Sequence, residues 1–118
     1  MVIRKIQILV CVSLLFMSTI TPVSAEPFDW IMSSISKAGT LDNGDGHEWT
    51  FRKNSPGNWE VEGAESEVAK VVSAGENKVE LNGFPDGWNA NGKFDFSRAS
   101  GKCILKSDHS DHELEWTC

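Results

Sequence analysis

The densest run of potential metal ligands is the segment 108–113, Asp-His-Ser-Asp-His-Glu. The imidazoles of His109 and His112, with a neighbouring aspartate, could supply the nitrogen and oxygen ligands that Zn²⁺ or Cu²⁺ takes. The same residue types are common in a solvated turn at the tip of a hairpin, and no cysteine is spare to strengthen the set. The segment therefore predicts weak surface binding of a metal at most, and we expect no resident metal or other cofactor.

Other patterns that could support catalysis fail on spacing. If Gly46 is aligned with the invariant glycine of a calcium-binding loop, Leu41 and Arg52 fall at the first and last ligand positions, where Asp and Glu are required. With 17 acidic residues in the chain, paired carboxylates arise by chance. No serine lies in a nucleophile-elbow sequence, and no glycine-rich phosphate loop opens a helix. The sequence therefore predicts no catalytic residue, and we expect a protein that is not an enzyme.

The tryptophans give the clearest sign of a binding surface, because the chain has five Trp and no Tyr. Trp88 lies in the segment FPDGWN, whose Gly and Asn residues favour an exposed turn. Exposed Trp is enriched among the residues that dominate protein–protein binding. The candidate partner-binding residues are therefore Trp88, Asp86, Phe84 and Trp30. The alternative for Trp88 is that it folds back as a lid over one end of the sheet.

Residues 1–25 are predicted to be a secretory signal peptide. The positive residues Arg4 and Lys5 precede an apolar stretch, and a cleavage site ends at Ala25. The apolar stretch falls short of the roughly 20 residues that a spanning helix needs. Cleavage would leave residues 26–118 as a single exported domain, periplasmic or extracellular, with no membrane anchor.

Cleavage would also change the charge and the number of cysteines. Removing Arg4 and Lys5 from 11 basic residues leaves 9 against 17 acidic residues, a formal charge of −8. Such a domain is a poor match for nucleic acid, which calls for a basic face, and a better one for a cationic partner. Because Cys11 would leave with the signal, Cys103 and Cys118 would be the two cysteines of the domain, and we expect them to form a disulfide.

A short helix and an antiparallel sheet are expected to position these residues. Apolar residues with helical spacing predict a helix between residues 26 and 38, and Trp30 lies opposite its apolar face. Further along, apolar and polar residues alternate, which predicts strands with Trp49, Trp59 and Trp116 facing inwards. The fold class is mostly β: a small antiparallel meander of six or seven strands, closed as a barrel or folded as a sandwich, with an N-terminal helix and a C-terminal disulfide.

The segment 64–73 fits either a helix or a strand. In the last hairpin, we expect the register in which Cys103 lies directly opposite Cys118 and Lys106 opposite Glu115. That register places opposite charges on one face and apolar side chains on the other, which are favourable cross-strand pairs.

An export signal, an acidic β domain, a single disulfide and protruding loops together resemble the plan of periplasmic inhibitors and immunity proteins that neutralise cell-wall-degrading enzymes. The resemblance implies a binding protein whose Trp88 loop, with Asp86, docks into the cleft of a cationic hydrolase or toxin. Two other classes fit the same features. One is a secreted carbohydrate-binding module, in which Trp88 or Trp30 stacks on a sugar, and the other is a small secreted effector or toxin.

Overall fold

The computed structural model describes residues 26–118, so the predicted signal peptide, residues 1–25, lies outside the described residues. One helix leads into eight antiparallel strands that follow one another in the sheet in chain order. The mostly-β meander with an N-terminal helix is thus confirmed, with eight strands instead of six or seven. The elements are α1 (Phe28–Ala38), β1 (Thr40–Asp42), β2 (Glu48–Lys53), β3 (Trp59–Glu62), β4 (Val68–Gly75), β5 (Lys78–Asn82), a 3-10 turn (Asp86–Trp88), β6 (Gly92–Ala99), β7 (Lys102–Ser107) and β8 (Glu113–Thr117).

The sheet curls until its first and last strands approach each other, which makes a nearly closed barrel. At the seam the backbone N–H of Glu113 donates to the carbonyl of Asn43, with an N···O distance of 3.0 Å. The approach of β1 and β8 shields part of each sheet edge, which limits edge-to-edge association. No helix within residues 26–118 has the length and apolar character needed to cross a membrane.

Alternation along the strands fills the barrel. Trp49, Trp59 and Trp116 are all buried, as the period-two pattern predicts. The ambiguous segment 64–73 becomes strand from Val68 onwards, because its alternate side chains Ala69 and Val71 face the core. Its remaining apolar residues point outwards, which a helix packed on the sheet would not allow.

Helix α1 covers one end of the barrel with the apolar face that its spacing predicts. Ile31, Met32 and Ile35 are buried in the core. The indole N–H of Trp116 on β8 donates to Oγ of Ser34, 2.8 Å away, which ties the helix to the last strand. A helix of this length is marginal in water alone, so packing on the barrel stabilises it.

The disulfide between Cys103 and Cys118 is present, with the two Cα atoms 5.9 Å apart, but the register expected for the last hairpin is wrong. Cys103 pairs with Trp116, and Lys106 pairs with Glu113, a slip of two residues. A slip of two keeps every side chain on its own face, so the apolar and charged pattern fits both registers equally well. Cys118 lies just beyond β8, where its N–H donates to the carbonyl of Gly101 at 2.9 Å.

The meander sorts the connections between two ends of the barrel, because successive antiparallel strands turn at opposite ends. The turns β2–β3, β4–β5 and β6–β7 lie at the end covered by α1, which we call the helix end. The other four connections lie together at the opposite end, which we call the loop end. Its loops comprise residues 43–47, 63–67, 83–91 and 108–112.

Candidate functional site

A recess of about 240 Å³ opens at the loop end. Trp49 and His112 lie along its inner side, and Asp45, Glu65 and Trp88 reach it from three different loops. Its volume is below the range of roughly 300–1,000 Å³ that is usual for drug-sized ligands. The recess therefore has room for one side chain or one sugar ring.

A stack of three aromatic rings leads from the core to the rim of this recess. Phe84 stacks on the buried Trp49 with ring centroids 5.2 Å apart, and Trp88 stacks on Phe84 at 6.1 Å. Burial decreases along the stack, and Trp88 keeps 37% of its surface exposed. Trp88 thus lies back against the barrel, with part of its indole held by packing and part available to a ligand.

The backbone of the Trp88 loop is fixed by Asn91, a residue that sequence reasoning did not single out. Its Oδ1 accepts hydrogen bonds from the N–H groups of Gly83 and Phe84, at 3.0 and 2.8 Å, and its Nδ2 donates to the carbonyl of Phe84 at 2.8 Å. Within the loop, the N–H of Trp88 donates to the carbonyl of Pro85 at 3.0 Å, which closes the 3-10 turn. Side-chain amides commonly hold loops in this way, so Asn in a Gly- and Pro-rich loop was the available signal.

Asn43 plays the same part in the β1–β2 loop, which the sequence identifies only as a turn. Its side chain is buried, and Oδ1 accepts from the N–H groups of Asp45 and His47 at 2.9 and 3.3 Å. An amide that folds back on its own loop is an Asx turn, which fixes the backbone locally. The carboxylate of Asp45 is therefore held towards the recess by a rigid loop.

His112 connects three loops behind the recess. Its side chain is buried, with Nδ1 3.1 Å from Oδ2 of Asp45 and 3.4 Å from Nδ2 of Asn43, and Nε2 3.3 Å from the carbonyl of Trp88. A neutral ring protonated at Nε2 donates to that carbonyl and accepts from Asn43, and a doubly protonated ring donates to Asp45 as well. Both ring nitrogens therefore have protein partners in either state.

The second histidine of the segment, His109, lies in different surroundings. It is exposed, and its ring is close to Gly92 and 3.5 Å from Oγ of Ser107. The structure does not bring His109 and His112 together on a common partner. Within residues 26–118, no three or more His, Cys, Asp or Glu side chains form a group that could hold a metal.

Trp30 lies at the helix end, far along the barrel from the other candidate residues. Its ring meets Phe96 edge-on at 6.2 Å, and the guanidinium carbon of Arg98 lies 4.8 Å from the ring centroid. Arg98 in turn pairs with the carboxylate of Glu26 at 2.7 Å. The predicted partner-binding residues thus divide into Phe84, Asp86 and Trp88 at the loop end and Trp30 at the helix end.

Charge separates the two ends of the barrel further. The four loops of the loop end contain six carboxylates and neither Lys nor Arg. One carboxylate oxygen of Glu67 is buried and has no hydrogen-bond partner within the described residues. The loop end therefore carries an excess of acidic over basic residues, and two of the acids, Asp45 and Glu65, line the recess itself. The six residues are Asp45, Glu65, Glu67, Asp86, Asp108 and Asp111.

The arrangement offers two kinds of contact to a ligand. A half-exposed indole offers a flat apolar face, and fixed carboxylates beside it offer charge-assisted hydrogen bonds. No family model, curated protein or solved structure matches this chain.

Proposed function

We propose that this chain is an exported binding protein that uses its loop end to neutralise a cationic partner protein, such as a cell-wall-degrading enzyme. The main support is the charge of the loop end, whose four loops include the half-exposed Trp88 and contain six carboxylates but neither Lys nor Arg. A field of one sign steers an oppositely charged partner and raises its association rate. The Cys103–Cys118 disulfide is typical of the oxidising compartments outside the cytoplasm.

The rigidity of the loops also supports a binding role. Asn43 and Asn91 fix the two loops that carry Asp45 and Trp88, and His112 joins them from behind. Loops that are already ordered lose little conformational entropy when a partner docks, so more of the contact energy contributes to affinity.

A non-catalytic role is part of the proposal. The buried imidazole of His112 is the obvious candidate for a general base, but both of its nitrogens face protein groups. A base needs a free nitrogen within hydrogen-bond reach of the proton that it removes. The partner's own active site, blocked by this chain, is the expected place of action.

The test compares two triple variants that raise the net charge equally. The loop variant is Glu65→Gln/Asp86→Asn/Asp111→Asn, and the control is Asp29→Asn/Glu76→Gln/Glu80→Gln on the helix, the β4–β5 turn and β5. Binding to a panel of cationic cell-wall hydrolases is measured by surface plasmon resonance, and inhibition by peptidoglycan hydrolysis. We expect the loop variant to slow association about tenfold at low salt and the control variant to slow it much less, because steering depends on the charges near the contact.

Equal effects of the two triple variants, or no inhibition of any hydrolase in the panel, would contradict the proposal.

Carbohydrate binding is the second candidate, favoured by one observation, the small recess with an indole and polar side chains in its walls. It predicts that glycans shift the Trp fluorescence with little dependence on salt. A fluorescence titration with glycans, run at low and at high salt beside the hydrolase measurements, therefore separates the two functions.

A further inference from the structure

Two tryptophans of the barrel are paired with a cation from the chain itself. The guanidinium carbon of Arg98 lies 4.8 Å from the ring centroid of Trp30, and Nζ of Lys53 lies 5.2 Å from that of Trp59. Cations are attracted to the negative face of an aromatic ring, most strongly to Trp. Trp88 is half-exposed in the same way as Trp30, yet within residues 26–118 no Lys or Arg side chain lies over its ring.

The group around Trp30 shows the complete arrangement. Arg98 stacks on the indole and also pairs with the carboxylate of Glu26, 2.7 Å away. A planar guanidinium suits both contacts at once, because its face stacks on an aromatic ring while its edge donates to a carboxylate. Indole, guanidinium and carboxylate therefore form one recognition unit at the helix end.

The recess at the loop end contains the same unit without its cation. The exposed part of Trp88 and the carboxylates of Asp45 and Glu65 line one recess of about 240 Å³. Glu65 makes no ion pair with any described residue, and the Asp45 side chain keeps 47% of its surface exposed beside His112. The indole and the carboxylates are in place, and the four loops contain neither Lys nor Arg, although His47 and His112 also line the recess.

We propose that this recess receives one arginine side chain of the partner protein, with its guanidinium stacked on Trp88 and hydrogen-bonded to both Asp45 and Glu65. The inference deepens the proposed function, on which it rests for the source of the arginine. Arginine fits better than lysine, because an ammonium is a compact, strongly hydrated charge with no flat face. A helix or strand of the partner is too large for the recess, so a single projecting side chain is the occupant.

The test uses the arginine side chain alone, so it does not require the partner. N-acetyl-L-arginine amide is titrated into the ¹⁵N-labelled protein, and the shifts of the Trp88 indole and the Glu65 amide are followed by NMR. The matched probe is N-acetyl-L-citrulline amide, which has nearly the same shape without the charge, and N-acetyl-L-lysine amide tests the preference. We expect binding in the millimolar range for arginine, about tenfold weaker for citrulline, and weaker for lysine than for arginine.

Variants locate the site. Glu65→Gln removes an exposed carboxylate that makes no contact needed for folding, and we expect it to weaken arginine binding about threefold or more. Trp88→Ala should weaken binding about tenfold, with Trp88→Phe retaining part of it, because a smaller ring still stacks. Glu76→Gln, in the β4–β5 turn at the helix end, should leave the affinity unchanged and is the control.

Equal binding of citrulline and arginine, shifts that map to Trp30 instead of Trp88, or an unchanged affinity in Glu65→Gln would each overturn the inference. Saturation by a sugar in place of arginine would overturn it as well. These outcomes differ from a failure of the proposed function. Arginine binding in the recess with no hydrolase inhibited leaves the inference standing, whereas salt-dependent inhibition that survives Trp88→Ala leaves the function standing without it.

Discussion

Nδ1 of His112 lies 3.1 Å from Oδ2 of Asp45, directly behind the recess. On its other side, Nε2 of the same ring lies 3.3 Å from the carbonyl of Trp88. One buried imidazole thus joins the two loops that contribute the carboxylate and the indole. The shape of the recess depends on this side chain, although a ligand would meet mainly its neighbours.

The substitution His112→Ala tests this dependence. It removes a ring that packs 5.4 Å from Trp49 and leaves the Trp88 carbonyl without its partner, so we expect a loss of about 2–3 kcal/mol in the free energy of unfolding. Amide hydrogen exchange should also rise in the Trp88 loop, residues 83–91. His109→Ala is the control, because His109 is exposed, and similar effects of the two substitutions would contradict the bridging role.

Gly92 is the position where an added side chain should conflict most sharply with its surroundings. Its φ is +119°, and a Cβ at this position would lie 2.4 Å from Cε1 of His109. We expect Gly92→Ala to destabilise the fold by about 2–3 kcal/mol through backbone strain and this clash. The double variant Gly92→Ala/His109→Ala should regain only part of the lost stability in thermal or urea denaturation, because the backbone strain at position 92 remains. Full recovery would mean that the backbone conformation costs little.

The disulfide is expected to contribute a large part of the stability. It joins residues 15 positions apart, and a loop of this length corresponds to roughly 3 kcal/mol in the chain-entropy model. Cys103→Ala/Cys118→Ala should therefore lower the free energy of unfolding by about that amount in urea denaturation. Dithiothreitol should destabilise the natural sequence and leave the double variant unchanged. A similar response of both proteins to the reductant would contradict this account.

An ion pair on the outer face predicts a small dependence of stability on pH. The hydrogen bond from Lys78, with a further contribution from Asp108, holds the pKa of the Asp95 carboxyl below its usual range. A carboxylate with a lowered pKa in the folded state stabilises the fold above its unfolded pKa of about 3.9, and this contribution disappears as the pH falls through the folded value. Asp95→Asn should therefore be slightly less stable than the natural sequence at pH 7, and the difference should be smaller at pH 2, as measured by urea denaturation. A difference that is the same at both values would rule out the ion pair as its cause. The difference at pH 7 should be small, because exposed ion pairs contribute little.

The parts of the fold that follow from side-chain period were predictable from sequence. The helix, the inward-facing tryptophans and the disulfide partners each depend on local spacing or on elimination. Strand β1 was not predicted, because its three residues, Thr40–Asp42, are too few to show a period. The register of the last hairpin was predicted wrongly, because a slip of two residues keeps every side chain on its own face. Which of the two registers forms depends on how tightly the loop 108–112 closes.

The candidate site was less predictable, since it depends on which loops share an end of the barrel. Trp30 and Trp88 have similar sequence surroundings, but the folded meander places them at opposite ends of the barrel. Arg98 stacks on Trp30 alone of the two. The burial of His112 was not predicted, because its acidic neighbours in the sequence are typical of a solvated turn. Only the approach of β8 to β1 brings it against Asn43 and Asp45.

The division of the turns between the two ends also determines where a linker or a label can be attached without covering the recess. The N–H of Glu26 donates to Oδ1 of Asn77 at 2.8 Å, and the N–H of Cys118 donates to the carbonyl of Gly101, both in turns of the helix end. The first and last described residues thus lie on the side away from Trp88. A linker, a fluorescent label or a sensor surface joined there would present the acidic rim outwards with all four of its loops uncovered.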